Sequence, residues 1–377
     1  MWNKIIGQTE VIEKLKAIYS SNKIAHSYLF TGSDGVGKEA VAIEFAMLLN
    51  CPNAIDTAEA CGKCSSCKKI SGFKSEYFQF ICPMPAGKGE EKDEDPIESL
   101  STSDFELYLE ELQEKAVNPY HRINLPNANY IRINSIRTIT RKISLSAAEG
   151  AVKFCLIAEA DKMRAESANA LLKVLEEPPD DSILILTTSK YSLLPQTIIG
   201  RCQRIHFKEL DSEAIRKKLT TDESIAGKFT SDEIELACSL SNNSYTKTIE
   251  LLSIGVKEFR DDVVKYLLAL LSEKHSEIVA ISRKVAGRNK KELVRTFLFL
   301  LAVWIKDLMQ SKYQQSPENI SNADLIQRLQ SFNKNFPSTE FYKALVEIEN
   351  ADFQINQNLN LPSILINLSP KLRAHFH

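Results

Sequence analysis

An α/β domain built around a phosphate-binding loop, followed by a region of helices alone, is the fold class that this sequence predicts. Three observations carry it. Ser27 to Thr31 is a short apolar run that meets a glycine-rich turn ending in Lys38, and Val41, Phe45, Ala46, Leu48 and Leu49 then form a helical apolar face. Two further apolar runs, Lys153 to Glu159 and Ser182 to Thr188, read as buried strands, each followed by a helical segment. From Phe259 onward the pattern is almost purely helical.

In the turn, Gly32, Gly35 and Gly37 permit close backbone approach, and Gly32 to Lys38 has the spacing of a phosphate-binding loop. Such a loop points its N–H groups at anionic oxygens where a helix begins, and the lysine reaches the outer phosphates. The next position normally holds Ser or Thr, whose hydroxyl binds the Mg²⁺ of the nucleotide. Here it is Glu39. A carboxylate facing phosphates repels them, so the loop descends from a nucleotide site at which ATP binding is expected to be weak or absent. A glycine turn that merely joins strand to helix is the plainer alternative.

The chain has 377 residues, enough for two or three domains, with 25% charged and 44% hydrophobic residues, as in ordinary soluble proteins. No run approaches the roughly 18 apolar residues of a membrane span, and MWNKIIGQTE has no signal-peptide core. A cytoplasmic location and no membrane partner are expected. The net charge of −2 is uneven: residues 90 to 114 hold 11 acidic side chains and one lysine, a local charge of −10 that leaves +8 for the rest. A mildly basic body could touch nucleic acid on one face.

Taken in order, residues 1 to 25 read as a helix with the stripe Val11, Ile12, Leu15 and Ile18, entered from an extended segment containing Ile5, Ile6 and Gly7. In phosphate-loop ATPases such a segment can pack near the base. Cys51, Cys61, Cys64 and Cys67 follow the first long helix as C-x9-C-x2-C-x2-C, a spacing that closes four thiolates around a structural Zn²⁺. The other four cysteines are scattered, so a disulfide framework is not indicated. Residues 84 to 128 read as an acidic surface insertion with a short helix around Phe105, Leu107, Leu109 and Leu112. Ile133, Ile136, Ile139, Ile143 and Leu145 then alternate with Arg132, Arg137, Arg141 and Lys142, a spacing that places the isoleucines inward and the basic residues outward as a basic edge.

Where a strand of such ATPases ends in Asp-Glu, with the Asp on Mg²⁺ and the Glu orienting the attacking water, this chain has Ala158 and Glu159, and Asp161 lies two residues too far along. A second metal ligand is therefore lost. The helix Ser167 to Glu177 stops at Pro178 and Pro179, and Arg201 follows Gly200 at the end of a short helix that begins near Pro195.

Together HSYLFTGSDGVGK, the four-cysteine module after the loop helix, AEADKMRAESANALLKVLEEPP, LTTSKYSLLPQTIIGRCQ and INQNLNLPSILINL resemble the delta-prime subunits of the bacterial DNA polymerase III clamp loader, an AAA+ family. The resemblance spans nearly the whole chain except residues 84 to 128. It implies a RecA-like α/β domain over residues 1–208 that contains the zinc module at 51–67, a small helical lid over 209–256, and an all-α collar over 257–377. It also implies a place in a five-membered ring of clamp-loader subunits within the polymerase holoenzyme. The ring would load the sliding clamp onto primed DNA, and this subunit would have no ATPase activity of its own. The family's Ser-Arg-Cys motif, an arginine finger acting on ATP of the neighbouring subunit, reads Gly200, Arg201, Cys202, so the serine is lost and the guanidinium kept. Thr188 matches the sensor-1 position. Thr246 stands where motor subunits carry a sensor-2 arginine, with Lys247 out of register by one. Two other readings stay open: an active motor subunit using Lys38, Glu159 and Thr188, and a zinc-containing nucleic-acid binding protein using Arg137 and Arg141.

Overall fold

Every residue of Ser27–Thr31 is buried, and this segment, β1, becomes an inner strand of a parallel sheet. The computed structural model describes residues 2–54, 58–86, 95–145, 150–222, 225, 227–287, 291–313, 320–355, 357 and 359–377. The described chain divides into two compact units, Met1–Lys218 with Asn243–Thr246, and Leu219–Asn242 with Lys247–His377.

The first unit holds the sheet. Its strands are β1, β2 (Phe78–Ile81), β3 (Lys153–Ile157), β4 (Ser182–Thr188) and β5 (Gln203–His206), in the order β2-β3-β4-β1-β5 with all pairings parallel. β1, β3 and β4 are buried along their full length, as continuous apolar strands covered on both faces must be. The outer strands β2 and β5 are shorter and partly exposed.

Helices α1 (Thr9–Ser20) and α2 (Lys38–Leu49) come first, and α2 is buried almost all round, so it lies inside the unit. Helix α3 (Ser65–Ser71) begins at Cys64, whose sulfur accepts the N–H of Cys67. Helix α4 (Thr102–Val117) is capped by Ser101, whose side chain accepts the N–H of Asp104. Helices α5 (Ile133–Ser144) and α6 (Ala165–Glu176) cover one sheet face, with Ile136, Ile139, Leu171 and Val174 packed against Leu29, Ile157 and Leu186. The short α7 (Gln196–Ile199) leads into β5. The parallel α/β sheet with its helices is thus the one predicted.

The acidic insertion differs from its reading as surface. Its helix runs for 16 residues, and Tyr108, Ile123 and Leu125 form a small core with Cys82, Met84 and Ala158. Residues 87–94 of the insertion lie outside the described residues.

The chain enters the second unit along α8 (Ser212–Thr221), passes through α9 (Ser231–Leu240) and returns to it along α10 (Tyr245–Ser253). Then follow α11 (Val256–Leu271), α12 (His275–Ala286), α13 (Lys291–Lys312), α14 (Ile326–Asn335), α15 (Phe341–Ile355) and α16 (Leu361–Arg373). Phe297, Leu301, Ile305 and Leu308 of α13 are fully buried, as the multi-faced apolar pattern requires. Buried Asp307 accepts the backbone N–H groups of Ser321 and Asn322 at 3.0 and 2.8 Å, tying a loop to the middle of the bundle. No described helix is long and apolar enough to cross a membrane.

Candidate functional site

The glycine loop leaves the C-terminal end of β1 between β4 and β5, where the order of the strands reverses. In open α/β sheets the crevice outside such strand ends is the place where ligands bind. Gly35 and Gly37 have φ of 75° and 96°, a left-handed backbone that glycine adopts freely. Space is also short: a Cβ on Gly35 would stand 2.1 Å from Ser244 Oγ, and one on Gly37 2.8 Å from Tyr120 Oη.

Lys38 opens α2, is 7% exposed, and turns back on its own loop, donating to the carbonyls of Gly32 at 2.8 Å and Ser33 at 2.7 Å. Burial pulls its pKa down, opposed by the negative charges of Asp34, Glu39, Asp161 and Glu159.

Glu39 does not face an open crevice. Its carboxylate is paired at 2.5 Å with Lys115 of α4, a side chain only 1% exposed. The same ammonium donates to the carbonyl of His121 at 2.7 Å, so the buried cation has both a counter-charge and a further acceptor.

Glu159 follows β3 in a left-handed conformation, φ 53°, unusual for a residue with a side chain. Its carboxylate is held by the guanidinium of Arg122 and by Lys162, the latter at 2.8 Å. Burial would push this carboxyl up, but the two cations overcome it and bring the pKa down to about 2. Ala158, expected from the sequence to stand at the Asp position, is buried among Cys82, Met84 and Tyr108. Thr188 is buried at the end of β4 and donates to Asp161 at 2.6 Å, so this carboxylate is already engaged.

Lys38, Glu39, Glu159 and Thr188 thus lie close together at the strand ends, joined through Asp161, and Arg201 lies apart from them. It donates to the carbonyl of Thr197 at 2.9 Å and pairs with Glu176 at 2.5 Å, on side chains that are 36% and 51% exposed. A pair so exposed contributes little and exchanges readily. Thr246 donates to the carbonyl of Tyr120 at 2.9 Å, while Lys247, in the second unit, pairs with Glu250 at 2.9 Å.

The four sulfurs of Cys51, Cys61, Cys64 and Cys67 lie within 4.8 Å of one another. A tetrahedral zinc with sulfur at about 2.3 Å needs sulfur separations near 3.8 Å, so the cluster closes on that ion with small shifts. Backbone N–H groups of Cys61, Cys64 and Cys67 point at the sulfurs of Cys51, Cys61 and Cys64, at 3.3, 3.4 and 3.4 Å. Hydrogen bonds from the backbone at Lys63 and Cys64 bring the Cys61 thiol down to about 6, toward the thiolate that a metal takes.

Sequence reasoning missed Lys115, Tyr120 and Arg122. They belong to the segment read as a solvated insertion, and the one available signal was a lysine, Lys115, closing an otherwise acidic helix.

A family model described as "DNA polymerase III, delta subunit" matches residues 7–211. The chain is similar to DNA polymerase III subunit tau/gamma of Haemophilus influenzae, with 29% identity over 299 residues, 78% of this chain and 36% of that protein. It is similar to subunit tau of Bacillus subtilis, with 27% identity over 292 residues, 77% of this chain and 42% of that protein. Subunit delta' of Bacillus subtilis is 29% identical over 208 residues, 54% of this chain and 50% of that protein. The chain therefore spans less than half the length of these tau and tau/gamma relatives.

Proposed function

The chain belongs to the DNA polymerase III delta-subunit family, and from that premise we propose that it is a delta-prime-type, non-hydrolysing subunit of the clamp loader. It serves DNA replication as a stator in a five-membered ring that loads the sliding clamp at primed DNA. The observation that carries this reading is the pairing of Glu39 with buried Lys115 at 2.5 Å. The position that should offer a hydroxyl to Mg²⁺ instead carries a charge already neutralised from within the chain. Ala158 removes the second ligand. Glu159, the residue that would orient water, is engaged by Arg122 and Lys162.

The tau and tau/gamma relatives favour a second reading, an active motor subunit, since they match more of this chain than the delta' relative does. The occupied carboxylates speak against it. In the proposed ring, the RecA-like AAA+ domain covers residues 1–208, the lid 209–256 and the collar 257–377. Cys51, Cys61, Cys64 and Cys67 would hold a structural Zn²⁺, which stiffens the module after α2 and leaves no open coordination position.

Arg201 is the residue offered to the neighbour. Exposed and held only by Glu176 and the Thr197 carbonyl, it can exchange these partners for a phosphoryl group developing negative charge. In a loader reconstituted with all subunits, Arg201→Ala is expected to lower clamp- and DNA-stimulated ATP turnover by about tenfold or more while the ring still assembles. Unchanged turnover in an assembled ring contradicts the finger.

A further inference from the structure

Tyr120 is the side chain at the crevice that nothing above explains. It lies in the turn after α4, is 7% exposed, and its ring presses on the loop. The atoms Oη, Cε1 and Cζ stand 2.8, 3.0 and 3.1 Å from the point where Gly37 would carry a Cβ. The hydroxyl accepts the backbone N–H of Ile6 at 2.8 Å, and the ring meets Tyr245 edge-on at 5.0 Å. The carbonyl accepts Thr246 Oγ1. The same turn, at Ser244 and Thr246, also closes on Gly35.

A planar ring pressed on the loop glycine and held at its hydroxyl by a main-chain donor is a fixed filling of the space beside the loop. The same segment brings Lys115 to Glu39 and Arg122 to Glu159. Charges of this kind are not filler. Burying a lysine at 1% exposure is costly unless a partner waits there, and an apolar residue would fill the volume at lower cost.

From this convergence we infer that residues 102–125 are a built-in occupant of the nucleotide site. Tyr120 fills space against the loop that a nucleotide would need, and Lys115 and Arg122 supply the positive charge that the two carboxylates would otherwise draw from a metal-bound nucleotide. The unit is thereby held in its ligand-filled arrangement with no nucleotide. A stator benefits from this, because its shape in the ring then does not follow the ATP cycle of its neighbours. The inference rests on the reading of the loop as retired. It adds that the site is closed by a segment of this chain, and not merely stripped of metal ligands.

The test is calorimetric titration of the full chain with ADP, with and without Mg²⁺. Wild type and Glu39→Ser are expected to show no binding, since the ring remains in place. Glu39→Ser/Tyr120→Ala should bind ADP at least about tenfold more tightly than Glu39→Ser. Glu39→Ser/Tyr120→Phe, which keeps the ring, should behave like Glu39→Ser. Binding by wild type, or binding by Glu39→Ser as tight as by the double variant, overturns the inference; so does a folded double variant that gains nothing. If the double variant does not fold, hydrogen exchange decides: in Tyr120→Phe the Ile6 amide should exchange about tenfold faster than in wild type while the Gly35 to Lys38 amides stay protected. Wild-type loop amides that exchange as freely as an open loop contradict the occupant. ADP has no γ-phosphate to lose, so ADP binding without ATP turnover would remove the occupant and leave the non-hydrolysing reading standing, whereas ATP turnover would remove that reading itself.

Discussion

Helix α2 carries a motif at each end, and the two motifs have different surroundings. Beyond its C-terminus, Cys51 joins Cys61, Cys64 and Cys67 in a cluster of sulfurs that have one another and backbone N–H groups as neighbours, the surroundings of thiolates that can hold a metal ion. At its N-terminus, Lys38 is bound to loop carbonyls, Glu39 to Lys115 and, across the crevice, Glu159 to Arg122 and Lys162. Both ends keep the spacing of a ligand site. Spacing records what a motif once bound; the partners of its charged groups tell whether the place is still open.

The sharpest way to break this contrast is to remove the ion at one end and restore the motif at the other. The purified chain should carry about one equivalent of zinc, and stripping it with a chelator should lower the melting temperature by about 10 °C, because metal binding of this kind is folding free energy. A metal-free chain with an unchanged melt would make both ends of α2 alike. At the other end, Glu39→Ser rebuilds the hydroxyl of the phosphate loop yet should destabilise the protein by about 3 kcal/mol in urea unfolding, because it strands Lys115 as an unpaired buried cation. A neutral or stabilising result would mean that the pair is incidental.

A finer test uses acid. The folded pKa of Glu159 lies below its ordinary 4.5, near 2. The stability that its ion cluster contributes is therefore fully present above about pH 4.5 and lost as the pH falls through about 2. Arg122→Ala should flatten that dependence, and at neutral pH should cost only about 1 kcal/mol, because the arginine side chain is 47% exposed and screened by solvent. A pH profile identical to wild type would show that Arg122 does not set this titration.

Much of the framework was legible because its determinants are local. The runs SYLFT, KFCLI and SILILTT are strands that must be apolar throughout, since the sheet buries them on both faces. The spacing of Ile136, Ile139 and Ile143 reported the inward face of α5 directly. The edge strands β2 and β5 escaped notice for the complementary reason: four residues each, with polar and half-exposed positions, they carry no pattern of their own. The candidate site divides in the same way. Gly35, Gly37, Lys38 and Glu39 are adjacent in sequence and announce themselves. Lys115 arrives from a helix, and Tyr120 and Arg122 from the turn after it, in a segment whose composition is that of a solvated surface, and only the folded chain brings them to the loop. An acidic stretch is easily read by its average charge, whereas its one buried lysine decides what it does.

Whether this phosphate loop works on ATP is answered most directly by Mg·ATP turnover of the purified chain alone, with Lys38→Ala as the control for contaminating activity. The loop described here predicts turnover no higher than that control at any ATP concentration. Turnover above the control, abolished by Lys38→Ala, would contradict it and make this chain a motor.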